Sequence, residues 1–341
     1  MKAMGWAMGW GMMAAATLAG GAAAQTAPRV VADIPPVQSL AAMAMEGVGE
    51  VALIVPPGAS PHGFSMRPSQ ARTLEAADLV ISVGPALAPW LSEAADALAG
   101  PEAVRLDLLD APGTLLLEAR EAAVFDHDEH EGHGGHEGHG GRDDHQDHGA
   151  RDDDAHAHEA DAPHDHDHGG LDPHAWLNPD NAVVWLDAIA EALARIDPAR
   201  AETYAANAAA GRAKIEAAAQ DAADLLGSVQ GRPYVVFHDA YRHFERRFDM
   251  PAAAAVSLGD AARPGARRVA EVERAIEETH ALCVFAEPQI PARLLDSVAG
   301  ADVRRGVLDP LGASLTPGPD LYPALIRGMA QSLFECLADR A

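Results

Sequence analysis

Five histidines of this chain stand in segments with enough apolar sequence around them to be held in place: His62, His174, His238, His243 and His280. His62 follows the apolar run Val51 to Val55, in Pro56-Pro57-Gly58-Ala59-Ser60-Pro61-His62. His174 lies in Asp172-Pro173-His174-Ala175-Trp176, and His238 ends the run Tyr234 to Phe237. Open α/β sheets collect their ligands at the carboxyl ends of strands. Three imidazoles with a carboxylate or a water make a tetrahedral zinc site. Imidazole suits zinc, whereas manganese calls for more oxygen. Asp309, in Leu308-Asp309-Pro310-Leu311, is the candidate carboxylate, with water as the alternative. Taken singly, each histidine also fits a surface or hydrogen-bonded role, and that role is assigned to His243 and His280, both expected within helices. Glu287, in Ala286-Glu287-Pro288-Gln289, has three readings. It is the general base of a zinc hydrolase, an acceptor that orients a histidine, or a structural cap.

The elements that would position these residues form two sets. In the first, strands are expected at Val30–Ile34, Val51–Val55, Leu79–Val83 and Arg105–Leu109, separated by helical patterns at Val37–Met45, Ser69–Ala77 and Ala88–Ala99. In the second, strands are expected at Tyr234–Phe237, Ala252–Leu258, Ala281–Ala286 and Gly306–Leu308, with helices at Arg268–Thr279 and Pro291–Ala299. The alternation predicts parallel, doubly wound α/β sheets. Between the sets, Asn178-Pro179-Asp180 opens a helix with Leu186, Ile189, Leu193 and Ile196 on one face. After Pro198 a second pattern runs from Ala199 to Leu226, roughly 42 Å of helix at 1.5 Å per residue. That is too long for a routine crossover and fits a rigid strut between two lobes. His62 and His174 belong to the first unit and His238 to the second, so a site made from them lies between lobes.

The remaining twelve histidines crowd into one insertion: His127, His130, His133, His136, His139, His145, His148, His156, His158, His164, His166 and His168. From Asp126 to His168 there are fifteen Asp or Glu against two Arg, a charge of −13 out of −26 for the chain. Nucleic acid is excluded as a partner, because phosphate binding needs a basic surface, and cationic ligands are favoured. The segment has too little apolar area to order itself and is expected to be disordered without metal. A long surface loop costs little, since closure entropy grows logarithmically. Imidazoles spaced by one or two residues among carboxylates would hold zinc loosely and release it on mild acidification. The alternative is a solvated spacer with incidental metal affinity.

Residues Met1 to Ala24 have one charge, Lys2, and end in Ala22-Ala23-Ala24 before Gln25. This reads as a secretory signal, with an uncleaved anchor as the alternative. The absence of a nearby cysteine argues against a lipid anchor. In an oxidising compartment Cys283 and Cys336 form a disulfide by default, with a metal-thiolate pair as the alternative. HExxH, GxxxxGK and GxSxG motifs are all absent.

The segments "PPGASPHGFSMRPSQARTLEAADLVISVGPALAPWL", "DPHAWLNPDNA", "VVFHDAYRHFERRF", "CVFAEPQI" and "VLDPLG" occur in this order along both units. In them the chain resembles the periplasmic zinc-binding solute-binding proteins of zinc ABC importers, part of the metal-binding cluster of such substrate-binding proteins. The resemblance implies two Rossmann-like lobes, each with a mostly parallel four-stranded sheet, joined by one long rigid helix with a metal cleft between. On this chain that means a signal peptide over 1–24, a lobe over 25–197 carrying the insertion 126–170, a linker helix over 198–228 and a lobe over 229–341. It carries ligand roles onto His62, His174 and His238, and it implies a Cys283–Cys336 disulfide. The fourth ligand stays open between Asp309 and water; some zinc-type members have an acidic residue before the first histidine, where this chain has Pro61. Zn²⁺ is the implied cargo, an inner-membrane ABC permease the implied partner, and a zinc-loading periplasmic protein a further one. The implied protein is a periplasmic monomer that catalyses nothing. Three readings compete: a zinc buffer or chaperone acting through the insertion, a manganese-type importer protein, and a zinc hydrolase.

Overall fold

The structure, a computed structural model, describes residues 26–120, 122, 124–125, 170–257, 265–289, 300 and 302–339. The leader candidate, the twelve clustered histidines and the helix expected at Pro291–Ala299 lie outside the described residues.

The first lobe runs β1 (Val30–Ala32), α1 (Pro35–Ala44), β2 (Val51–Leu53), α2 (Pro68–Glu75), β3 (Leu79–Ser82), α3 (Pro89–Leu98) and β4 (Val104–Asp107). Each of these helices has proline in its first turn, where a missing N–H costs nothing. The strands are all parallel in the order β2-β1-β3-β4. β1 and β3 are buried throughout, which explains why their sequences are apolar but for Ser82. Each strand stops one or two residues short of its expected run, and after β4 the chain enters a 3-10 turn at Leu108–Asp110.

One such turn is set by Asp33. Its carboxylate accepts the N–H of Ile34 at 2.7 Å and of Val83 at 2.6 Å, pinning β1 to β3 at their ends. Burial nevertheless pushes this carboxyl up to about 7. Folding therefore favours the protonated acid. The stability contributed is complete below the ordinary carboxyl range, about pH 4, and is lost as pH rises through about 7. Urea midpoints should fall from about pH 5 to about pH 7 more steeply in the wild type than in Asp33→Asn. Equal slopes would remove Asp33 as the source.

α4 (Pro179–Ile196) is capped by the Asn178 side chain, which accepts the Asp180 N–H. Pro198–Arg200 form a 3-10 turn, so α5 (Ala201–Leu226) starts two residues later than the sequence suggests. This helix is no bare strut, for it packs along α4 and α1. Its Gly211 allows the close approach: a Cβ there would lie 2.8 Å from Leu186 and 3.1 Å from Met43.

The second lobe runs β5 (Tyr234–His238), α6 (Arg242–Phe248), β6 (Ala254–Ser257), α7 (Ala266–Thr279), β7 (Cys283–Ala286) and β8 (Arg304–Val307). Its parallel order β6-β5-β7-β8 repeats that of the first lobe. His243 lies in α6, as expected. His280 does not lie within a helix; it ends α7 in the left-handed conformation, φ 53°, a common way to stop a helix.

The sequence reading has no counterpart to α8 (Leu321–Leu337). The pairs Lys214–Asp320 at 3.1 Å and Asp221–Arg327 at 2.7 Å advance by seven residues on each helix, so α8 runs parallel to α5. Its first turn rests on the first lobe: the Tyr322 N–H donates to Ser39 Oγ at 3.0 Å, and the Tyr322 hydroxyl to the Trp176 carbonyl at 2.7 Å. Its last turn carries Cys336, disulfide-bonded to Cys283 on β7. Two parallel helices therefore cross from lobe to lobe, and one hydrophobic core extends through both. A smaller cluster lies between the second sheet and α7. Among the described residues no helix is long and apolar enough to cross a membrane.

Candidate metal centre

Two loops and the end of β5 bring His62, His174 and His238 together. One ligand atom from each lies within 4.8 Å of the others. Ring centroids are 5.5 Å apart for His62 and His174, 5.8 Å for His62 and His238, and 5.0 Å for His174 and His238. His62 sits beyond β2. The Trp90 indole donates to the Pro61 carbonyl at 2.7 Å and holds that loop down, and Ser60 Oγ accepts the His62 N–H at 3.2 Å. His174 stands just before the 3-10 turn Ala175–Leu177 that leads into α4. Trp176, in that turn, donates to the Pro310 carbonyl of the second lobe at 2.8 Å. His238 is the last residue of β5.

Two of the rings are held by buried carboxylates. Asp172 Oδ1 lies 2.7 Å from His174 Nδ1 and also accepts the His174 N–H at 3.0 Å. Glu287 Oε1 lies 3.1 Å from His238 Nδ1 and accepts from the Tyr241 hydroxyl at 3.1 Å. A carboxylate at Nδ1 is an arrangement that, in metal sites, fixes the ring's tautomer and raises its basicity as a ligand. Glu287 thus has the geometry of the orienting acceptor rather than of a base. Asp172 was not among the sequence candidates, although its place two residues before a histidine could have flagged it. Burial pushes its carboxyl up, against the pull of His243 and Arg120.

Asp309 is not brought into the cluster. Its two oxygens accept the N–H groups of Leu311 and Ser314, each at 3.3 Å, so it closes its own turn. The polar lining of the site beyond the histidines is Glu287 and Gln289. Pro61, Trp176, Pro310 and Leu311 make the rest of the wall. They enclose about 10 Å³, close to the least space that holds one water. A larger hollow of about 690 Å³ between β4 and α4 contains no histidine.

Behind the rings a charged network joins the lobes. Arg120 donates to Glu245 Oε2 at 2.6 Å, stands 3.8 Å from Asp239 and lies 3.8 Å above the Phe125 ring. Burial pushes Glu245 up to about 7 even so. His243 is fully buried, and burial holds its pKa below the ordinary value. The insertion is rooted beside this network. Its first end is tied to the second lobe, where the Phe125 N–H donates to the Ala253 carbonyl at 3.0 Å. The other end is tied to the first lobe, where the Gly170 carbonyl accepts the Ala119 N–H at 3.0 Å, two residues before Asp172.

Two parallel-sheet lobes locked by long helices, with a histidine-lined cleft of atomic size between them, define a metal-binding protein of the two-lobed solute-binding class. The family model "Zinc-uptake complex component A periplasmic" matches residues 30–336, and the chain belongs to that family. It is 43% identical over 312 residues to the high-affinity zinc uptake system protein ZnuA of Paracoccus denitrificans, across 91% of this chain and 92% of that one. With ZnuA of Brucella suis the identity is 40% over 311 residues, across 91% of each chain. Among solved structures it is similar to a zinc-bound ZnuA deletion mutant, with a TM-score of 0.68 at 21% identity, across 92% of this chain and all of that one (100%). The periplasmic zinc-binding protein TroA of Treponema pallidum gives a TM-score of 0.69 at 18% identity, with 92% and 100% covered. At such identities these structures speak for the fold alone.

Proposed function

We propose that this protein captures Zn²⁺ in the periplasm and delivers it to the permease of an ABC importer, without catalysis. The observation that carries the reading is the convergence of His62, His174 and His238 from both lobes onto a cavity of about 10 Å³. Neutral imidazole ligands suit zinc better than manganese. A cavity of about 10 Å³ is small for an organic substrate beside a metal ion, and Glu287 is held by His238 and Tyr241. Both points weigh against a hydrolase. Ligand roles for the three histidines, lobe boundaries near 197 and 228, export through a leader over 1–24 without a lipid anchor, and a monomeric state belong to the same proposal.

The insertion supports a second reading, a zinc buffer working through its twelve histidines. Zinc competition against a chromophoric chelator separates the two. The mature protein should show one tight site with weaker sites added, and deletion of Asp126 to His168 should remove only the weaker ones. Loss of the tight site with the insertion would make the protein a buffer on a transporter scaffold.

A further inference from the structure

Three imidazoles leave one position of a zinc tetrahedron to be filled. The residue before His62 is Pro61, which has no side-chain donor atom. Asp309 is turned to the N–H groups of its own loop. Glu287 lines the cavity, but its Oε1 is already shared by His238 and Tyr241. Gln289 is different. It lies two residues beyond Glu287, after the end of β7, and lines the same cavity. Its Oε1 is buried and has no hydrogen-bond partner among the described residues. Native interiors satisfy almost all such groups, and the exceptions call for a use.

We propose that Gln289 is the specificity-determining residue at the fourth coordination position. Its carboxamide oxygen accepts a hydrogen bond from the water that completes the zinc tetrahedron. The neutral amide stands where a carboxylate would supply the charged oxygen that manganese favours. The site therefore prefers zinc partly because this position carries no charge. This inference rests on the zinc-capture reading above.

The test compares Gln289→Ala and Gln289→Glu with the wild type, all lacking Asp126 to His168. Zn²⁺ and Mn²⁺ affinities are measured by chelator competition, and the site is loaded with Co²⁺ for its visible absorption. Gln289→Ala should weaken zinc about 10-fold or more, the usual scale for a partner outside the ligand shell. It should also shift the cobalt bands while the metal-free melting temperature holds or rises, since the lost oxygen is buried with no hydrogen-bond partner among the described residues. Gln289→Glu should narrow the zinc-to-manganese preference by about 10-fold or more. Wild-type zinc affinity, metal preference and cobalt spectrum in both variants would overturn the proposal. So would a zinc loss matched by an equal fall in metal-free stability, which marks a packing role. A parent protein with no tight zinc site would instead remove the transport reading itself.

Discussion

Joint replacement of His174 and His238 by alanine abolishes tight zinc binding and leaves the fold standing. The two rings come from different lobes, and each is fixed by its own carboxylate, Asp172 or Glu287, at 2.7 Å and 3.1 Å. Loss of one outer partner typically costs a metal site about 10–100-fold. Loss of two of three proposed ligands should exceed that range, leaving in chelator competition only what the insertion binds. Both rings are buried at the cleft between the lobes, with the apolar core that holds the sheets left intact, so far-UV circular dichroism should be unchanged. Retention of a tight site in the double variant lacking Asp126 to His168 would show that these histidines do not form it.

Removal of the disulfide should have the largest effect on stability. Cys283 and Cys336 are 53 residues apart and close a loop that contains β8 and nearly all of α8. Freeing a loop of that length should cost about 4 kcal/mol in the chain-entropy description, equivalent to a fall in melting temperature of about 10 °C for a protein of this size. Cys283→Ala with Cys336→Ala should reproduce the melting temperature of the reduced wild type. Because α8 reaches back to Ser39 and Trp176 in the first lobe, zinc should dissociate faster from the reduced protein as well. An unchanged melting temperature after reduction would mean that the core alone fastens α8.

Much of the lobe architecture is legible because it is local. Alternating apolar runs and helical patterns mark the eight strands of the described residues, and the loop after β2 and the end of β5 put His62 and His238 above the sheets. The long helix shows its period in Tyr204, Ala208, Ile215, Ala219 and Leu226, all buried. Boundaries drift where a local pattern does not say how a run ends. Asp33 breaks off β1 because its carboxylate finds the Val83 N–H, 50 residues away. His280 looks helical by neighbourhood yet caps α7, because the stop is a backbone conformation and not a composition.

The histidine pattern, the even cysteine pair and the acidic insertion were properties of the sequence by itself. From them, together with the alternation of apolar runs and helical patterns, follow two parallel sheets, a site shared between lobes and a preference for a soft-to-borderline cation. Those inferences depend on residue type and short spacing, which carry hydrophobic period and ligand chemistry directly. Only the tertiary structure decided that α8 ties the lobes together, that Asp172 and Glu287 aim the rings, that Arg120 reaches Glu245 across the interface, and that Asp309 turns away while Gln289 faces the cavity. Each of these is a choice among hydrogen-bond partners far apart in the chain. Such choices are settled by separations of about an ångström, which arise only when both lobes and the helices between them have packed.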